Sequence, residues 1–258
     1  MAGLDLLEVV GPAIVAGLMI ALVHAPLGIE VLRRGIVFID LAVAQAAALG
    51  VVMVGLVMPH PPGWLLQIAA LACALLAAGL FRLVERRLPD QQEAIIGSAF
   101  VVLATLALLL LANRPHGGEE LQSLLSGQIL FVSWSQVIGF APVYGVILLL
   151  WLKTPGVRSG SAFFVIFALT VTTSVQLVGV YVVFASLILP ALTVCRLAPG
   201  RRLPLAWASG TTAVLAGIAL SIPLDLPTGP MLVMAYATTA VVGRLLAPYS
   251  VSVPRPLT

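Results

Sequence analysis

The sequence predicts an all-α protein, a polytopic bundle of about nine membrane-spanning helices that forms one domain over residues 1–258. Three observations favour this fold class. Hydrophobic residues make up 61% of the chain, and charged residues only 9%, against about 25% in soluble proteins. Apolar stretches follow one another along nearly the whole chain. The segments between them are too short to form a soluble domain.

Each predicted helix is an apolar stretch of about 17–25 residues, the length that crosses a bilayer. The predicted helices cover residues 10–31, 36–58, 63–83, 93–112, 130–152, 160–176, 178–196, 203–223 and 230–247. Only a short polar segment, residues 172–176, separates the sixth from the seventh. A count of eight helices therefore stays open.

Proline and glycine mark the predicted ends and breaks of these helices. Residues 26–28 (PLG) are expected to end the first helix, and residues 223–230 separate the last two. Pro142 and Gly145 interrupt the fifth helix, and Pro190 lies within the seventh. In transporters such breaks often mark the substrate path, but an ordinary kink or turn is an equally open interpretation.

Basic residues predict the orientation, because short cytoplasmic loops carry an excess of lysine and arginine. The basic groups on alternate predicted loops are Arg33 and Arg34; Arg82, Arg86 and Arg87; Lys153 and Arg158; Arg196, Arg201 and Arg202; Arg244 and Arg255. The loops between them hold one arginine and no lysine. With nine helices this pattern places the N-terminus outside and the C-terminus in the cytoplasm, whereas eight helices would break the alternation.

Several classes of protein are not expected. The net charge of +3 is small and scattered, which argues against a nucleic-acid partner. Cys73 and Cys195 lie in separate apolar stretches and predict neither a disulfide nor a metal pair. Asp5 and Glu8 precede the first helix without a basic segment, which argues against a cleaved signal peptide. The chain has no phosphate-binding loop and no metalloprotease or serine-hydrolase motif, so it is not expected to be an enzyme.

Asp40 is the clearest candidate for a functional side chain inside a predicted helix. A carboxylate at the centre of a membrane helix costs about 2.5–3.5 kcal/mol on insertion scales, so such residues often serve transport. Gln45 lies five residues further on, about 140° around the helix, so the two do not share a face. Asp40 is interpreted either as part of a cation path or as a near-interface partner of Arg33 or Arg34.

His24 and Glu93 are two further candidates at the ends of predicted helices. A neutral imidazole at His24 is a possible transient ligand for a divalent transition metal, and a hydrogen bond to a backbone carbonyl is the other interpretation. Glu93 stands at the start of the fourth helix, where the helix dipole favours a carboxylate. Its expected role is to cap that helix.

Five short segments occur in order over most of the chain. They are residues 32–40 (LRRGIVFID) with Gln45 and Gly50, 92–97 (QEAIIG), 121–130 (LQSLLSGQIL) with Val132 and Ser133, 178–191 (VGVYVVFASLILPA) and 226–229 (LPTG). Together they resemble the integral membrane subunit of the zinc, manganese and iron ABC importers, the ABC-3 permease family. Each segment alone is weak, but five in this order are fairly specific.

The resemblance implies a multi-pass permease of the bacterial inner membrane that pairs with a second copy of itself. It also implies two cytoplasmic ABC ATPase subunits, an extracytoplasmic metal-binding protein and surrounding membrane lipid. The transported cargo would be a divalent transition metal, zinc first and manganese second, with no tightly bound cofactor. Asp40 and Gln45 match the family's Asp and His positions with one extra residue between them, so they and His24 are the candidate path residues.

The chain departs from the family after the fifth predicted helix. The family has about twenty further residues there, including a stretch that resembles a coupling helix, whereas this chain has the short link 153–161. Coupling to an ATPase would then use the basic residues Lys153, Arg158, Arg196, Arg201 and Arg202. Loss of the motor contact, with the basic loop acting only as a topology anchor, is the alternative.

Two other function classes stay open. An ABC permease for a metal chelate or another small solute would also lack metal-specific residues, and Gln45 in place of His favours that class. The other class is a secondary carrier without a motor, or a membrane scaffold. Asp40 is the only clearly membrane-embedded acid, which argues against a proton relay, since relays chain several such groups.

Overall fold

The protein's structure, a computed structural model, describes residues 2–112, 127, 129–158 and 160–246, with side chains from Glu8 onward except that of Val9. In these ranges it is helical, as predicted, and has no strand. The α-helices are α1 (Ala2–Arg34), α2 (Ile39–Val57), α3 (Gly63–Arg87), α4 (Gln92–Leu111), α5 (Trp134–Lys153), α6 (Gly160–Val194), α7 (Pro199–Ser221) and α8 (Thr228–Leu246). Short 3-10 turns cover Pro89–Gln91, Ile129–Phe131 and Pro155–Arg158.

All eight helices of the described residues are long and apolar enough to cross a membrane. The prediction of about nine helices is not confirmed; residues 160–194 are counted here as one element, α6, which consists of two helical halves joined at the non-helical Gly179. The predicted orientation of the two termini is likewise not confirmed. Residues 121–126, which carry part of the third segment of the family resemblance, lie outside the described residues.

The prediction that residues 26–28 end the first helix is wrong, since α1 continues through Pro26 to Arg34. Gly28 explains what this segment does instead. A Cβ atom on Gly28 would lie 1.9 Å from the carbonyl oxygen of Leu187 in α6. Glycine is therefore needed there for the backbones of α1 and α6 to pack in contact, as is common between membrane helices.

Helix α6 contains a sharp bend at Gly179. This residue has φ 77° and ψ 166°, a conformation that is essentially restricted to glycine. Ser174 and Ser186 lie on opposite sides of the bend, yet both contact the imidazole of His24. In a straight helix two residues twelve positions apart would be about 18 Å from each other. The two halves of α6 therefore fold towards each other around one side chain of α1.

Helix α6 is also the most buried helix of the bundle and packs against α1, α2, α3, α7 and α8. Its first turns carry an aromatic cluster in which Phe163 contacts Trp151, Phe164 and Phe167. By contrast, α3, α4 and α5 expose large apolar side chains such as Leu76, which is 69% exposed. In a bilayer this apolar surface faces lipid, where it needs no protein cover.

The conformation of Gly179 gives a first prediction. Gly179→Ala would force an alanine into a glycine-only region, so the free energy of unfolding should fall by about 1–3 kcal/mol. Thermal unfolding of the purified chain in detergent measures this change.

Gly139→Ala is the matched control for Gly179→Ala. Gly139 lies in α5, is exposed, and has no atom within 4 Å of an added Cβ. Its replacement should leave stability equal or raise it by up to about 1 kcal/mol. Equal melting temperatures for the two variants would contradict the view that the backbone conformation at position 179 requires glycine.

Candidate translocation path and coupling surface

Asp40 lies in the first turn of α2 and is only 1% exposed. Neither of its carboxylate oxygens has a side-chain hydrogen-bond partner among the described residues. Backbone N–H groups at the start of α2 act on this carboxylate, but a buried carboxylate with no side-chain partner is still costly, so a proton or a cation would stabilise it. The structure therefore leaves Asp40 as a candidate cation ligand.

The interpretation of Asp40 as a partner of Arg33 or Arg34 is wrong. The Nε atoms of both arginines donate to Glu30, each at 2.8 Å. Arg34 also donates through Nη1 to Glu85 of α3 at 2.7 Å. The arginines are thus directed towards other acids, on α1 itself and on α3.

Glu93 joins Asp40 at the start of α2, which the sequence analysis missed. The backbone N–H of Phe38, the N-cap of α2, donates to Glu93 Oε1 at 3.1 Å, so Glu93 caps α2 in addition to lying in the first turn of α4. Its other oxygen is buried and has no partner among the described residues. Two carboxyl groups thus share one end of α2.

Gln92, the residue before Glu93, brings a further side-chain oxygen to the segment between α1 and α2. Its side-chain nitrogen donates to the backbone carbonyl of Arg34 at 3.1 Å, and its Oε1 is buried without a partner among the described residues. The QEAIIG segment was noted for its resemblance to the family, but contact between α4 and the start of α2 could not be read from spacing. Gln92 and Glu93 thus bring two side chains of α4 to the segment between α1 and α2.

Gln45 is 2% exposed and its Oε1 has no partner among the described residues. On the regular helix α2 it lies about 7.5 Å further along the axis than Asp40 and about 140° around it. The two side chains therefore cannot bind one ion together as neighbours on a single face. They belong to one helix but to different levels of the bundle.

His24 is completely buried between α1, α5 and α6. Its Nδ1 lies 2.7 Å from Ser186 Oγ and its Nε2 lies 2.9 Å from Ser174 Oγ. The interpretation with a backbone carbonyl as partner is therefore wrong, because both partners are serine hydroxyls. The described residues contain no group of three or more His, Cys, Asp or Glu placed to hold a metal ion, so His24 and Asp40 do not form one closed site.

The residues predicted to couple to an ATPase lie mostly at the surface. Lys153, Arg158, Arg196 and Arg201 are exposed, and Arg202 is half-buried with its Nε donating to the carbonyl of Leu197 at 2.8 Å. The 3-10 turn Pro155–Arg158 forms the short link between α5 and α6.

Arg34 ties this link to the helix bundle. Its Nη2 donates to the backbone carbonyl of Arg158 at 2.7 Å, while its Nε and Nη1 bind Glu30 and Glu85. Its guanidinium also lies 4.1 Å from the ring centre of Phe163, within the range of a cation–π contact. One side chain thus connects α1, α3, α6 and the link.

A comparison with protein-family models adds the decisive observation, because the model of the ABC 3 transport family matches residues 6–154 and 158–247. The chain belongs to the ABC 3 transport family. The unmatched residues 155–157 fall in the turn between α5 and α6, where the sequence departs from the family. Its membership of this family, together with the eight membrane-capable helices of the described residues, identifies the protein as a multi-pass permease subunit of the bacterial inner membrane.

Individual relatives of this ABC 3 permease cover nearly its whole length. It is 24% identical over 251 residues to the high-affinity zinc uptake system membrane protein ZnuB of Haemophilus influenzae, covering 89% of this chain and 94% of that protein. It is 24% identical over 259 residues to the manganese transport system membrane protein MntC of Halalkalibacterium halodurans, covering 92% and 86%.

A solved structure supports the fold of the permease. PsaBC from Streptococcus pneumoniae, solved in complex with Fab, matches with a TM-score of 0.73 and 20% sequence identity. The match covers 96% of this chain and 95% of that chain. At this identity the likeness establishes the shared fold.

The contacts of Arg34 give a second prediction. Arg34→Ala removes one arginine from each of Glu30 and Glu85, which keep Arg33 and Arg82, so the loss of stability should exceed the about 1 kcal/mol of an exposed pair but stay below the about 3–5 kcal/mol of a buried pair broken completely. Thermal unfolding in detergent should show a clear fall in melting temperature.

Arg33→Ala is the control for Arg34→Ala. The Arg33 side chain is 64% exposed and binds only Glu30 through its guanidinium in the described structure, whereas the Arg34 side chain is 11% exposed. Exposed pairs contribute about 0–1 kcal/mol, so Arg33→Ala should have little effect. Equal losses in the two variants would show that Arg34 is not the connecting residue.

Proposed function

We propose that this protein is the membrane-spanning subunit of an ATP-dependent importer of a divalent transition metal, zinc or manganese. The observation that carries the proposal is the buried Asp40 carboxylate, which lacks a side-chain partner in the described structure and shares the end of α2 with Glu93. Two similar proteins carry zinc and manganese in their names, which supports the choice of cargo.

The donor set explains how a metal would pass without being trapped. Asp40 is buried and Glu93 is half-buried at the same end of α2, so charging both carboxyl groups is costly, and a divalent cation between them would offset the repulsion. The side chains there offer oxygen atoms and no imidazole or thiolate, so they form an incomplete and weak site. A weak site suits transport, because the ion must leave as readily as it enters.

The same donor set bears on the choice between the two metals. Carboxylate and amide oxygens suit manganese, whereas zinc is bound in proteins mainly by imidazole and thiolate together with carboxylate. The family resemblance placed zinc first, and the oxygen donors of Asp40, Glu93 and Gln45 favour manganese. With the orientation proposed from the basic loops, an incoming ion would meet Gln45 before Asp40.

The proposed partners are a second copy of the chain, two cytoplasmic ATPase subunits and an extracytoplasmic metal-binding protein. We assign ATPase coupling to the exposed basic residues Lys153, Arg158, Arg196 and Arg201, together with Arg202. A displacement of the link at Arg158 would reach α1 and α3 directly, because Arg34 binds the Arg158 carbonyl and Glu85. ATP hydrolysis would then alternate the access to the path.

Substitution of Asp40 gives a third prediction. Asp40→Asn keeps the shape of the side chain but removes the charge that would stabilise a cation, so uptake should fall about tenfold or more, equivalent to about 1.4 kcal/mol. Uptake of radioactive manganese and zinc into proteoliposomes that contain the complete complex measures the effect.

Asp90→Asn is the control for Asp40→Asn, because Asp90 is an exposed acid in the turn before α4. It should leave uptake unchanged. Full uptake by Asp40→Asn would remove Asp40 from the path. If a metal chelate but not free metal stimulates ATP hydrolysis, the cargo is the chelate. If no ATPase subunit consistently co-purifies with the chain, a carrier or scaffold is favoured.

Substitution of Gln45 gives a fourth prediction. Gln45→His supplies an imidazole in place of an amide, and imidazole is a good zinc ligand. The ratio of zinc to manganese uptake in a competition assay should therefore rise. Gln91→His, at an exposed position outside the path, should leave the ratio unchanged. An unchanged ratio in Gln45→His would place Gln45 away from the moving ion.

A further inference from the structure

A chain of buried polar side chains links three helices of the bundle. It consists of Tyr144 on α5, Ser174 and Ser186 on α6 and His24 on α1, all of which are at most 2% exposed. Tyr144 Oη lies 2.6 Å from Ser174 Oγ. Ser174 and Ser186 in turn contact the two nitrogens of His24 at 2.9 and 2.7 Å.

One assignment of donors satisfies every group in this chain, and it starts from Ser186. Ser186 donates its hydroxyl proton to the backbone carbonyl of Val183 at 2.9 Å, so its oxygen accepts from His24 Nδ1. A neutral imidazole then has a free lone pair on Nε2, which accepts the hydroxyl proton of Ser174. Ser174 finally accepts from the hydroxyl of Tyr144. Each donor has one acceptor, so the network is fully satisfied.

The neutral form of His24 follows from its surroundings. The contacts of its ring nitrogens are the hydroxyls of Ser174 and Ser186, and neither brings a negative charge. A charged imidazolium without a compensating anion would be costly at this depth. Neither nitrogen of the neutral ring is left with a free lone pair, so a metal ion could bind His24 only by breaking the network.

The network also does not provide a proton relay. Its last acceptor is the Val183 carbonyl, which cannot pass a proton onwards. What the network does connect is the two halves of α6, because Ser174 precedes Gly179 and Ser186 follows it. Gly28, one turn after His24 on α1, lies against the carbonyl of Leu187 beside Ser186. Helix α1 therefore contacts the second half of α6 twice and the first half through His24.

We propose that His24 is a positioning residue that fixes the bend of α6 at Gly179, so that both halves of α6 move as one unit with α1 and α5. Only the consequence for transport rests on the proposed function; the fixed bend does not. Because α6 also packs against α2, the bend sets the position of the helix that carries Asp40.

The first readout is the distance between the two halves of α6. Spin labels are attached to cysteines introduced as Val165→Cys and Leu192→Cys, two exposed positions on opposite sides of the bend, after Cys73 and Cys195 are replaced by alanine. His24→Leu should turn a narrow distance distribution into a broad one. His60→Leu, which changes an exposed histidine between α2 and α3, should leave it narrow.

The double variant Ser174→Ala with Ser186→Ala separates positioning from metal binding. It keeps the imidazole of His24 but removes both hydroxyl partners, so a positioning role predicts the same broad distribution as in His24→Leu. Combining His24→Leu with both serine changes should broaden the distance distribution little further, because the three residues act as one network. The serine variant also serves if His24→Leu does not fold.

The second readout is metal-stimulated ATP hydrolysis by the complete complex. Positioning predicts that both variants lower the maximal rate about fivefold or more, since each removes two hydrogen bonds and one is worth about fivefold, at an unchanged half-maximal metal concentration. A narrow distance distribution in the serine variant, with only the half-maximal metal concentration altered by His24→Leu, would overturn the proposal. If no metal stimulates the complex, the distances in the purified chain still decide the question of the bend.

Discussion

Lipid offers no hydrogen bonds, so a helix that bends within the membrane must satisfy its polar groups through neighbouring helices. Helix α6 bends at Gly179, and the hydroxyls of Ser174 and Ser186, on either side of the bend, both contact the imidazole of His24 on α1, while Gly28 lets α1 approach closely. The most buried helix of the bundle takes its shape from this contact. The positions of α2, α3, α7 and α8 depend on it in turn, because all four pack against α6.

Four buried or half-buried acids of the described residues fall into two kinds that differ in their partners. Glu30 and Glu85 bind arginines, and their contacts fasten α1 to α3 and to the link before α6. Asp40 and Glu93 have buried oxygens without side-chain partners in the described structure. Paired acids stabilise the fold, whereas unpaired ones need a cation or a proton. This difference is the physical reason for placing transport at the end of α2 and structure at the end of α1.

Composition and the lengths of the apolar stretches were sufficient to predict an all-helical membrane protein, because bilayer thickness alone sets the length of a spanning helix. The order of five short segments was sufficient to predict the family. Pro26 and Gly28 misled the prediction for the first helix. Along the sequence they signal a stop, but packing against α6 stabilises a continuous helix through them.

The sequence by itself determined the fold class and the family and made Asp40 a candidate, since each depends on residue type and local spacing. Only the tertiary structure decided which groups meet. It joined Glu93 to the start of α2, Arg34 of α1 to Glu85 of α3, and His24 of α1 to two serines of α6. These contacts join residues of different helices, for example 55 positions apart for Phe38 and Glu93. Helical periodicity carries no information about such pairs, because it relates only residues of one helix.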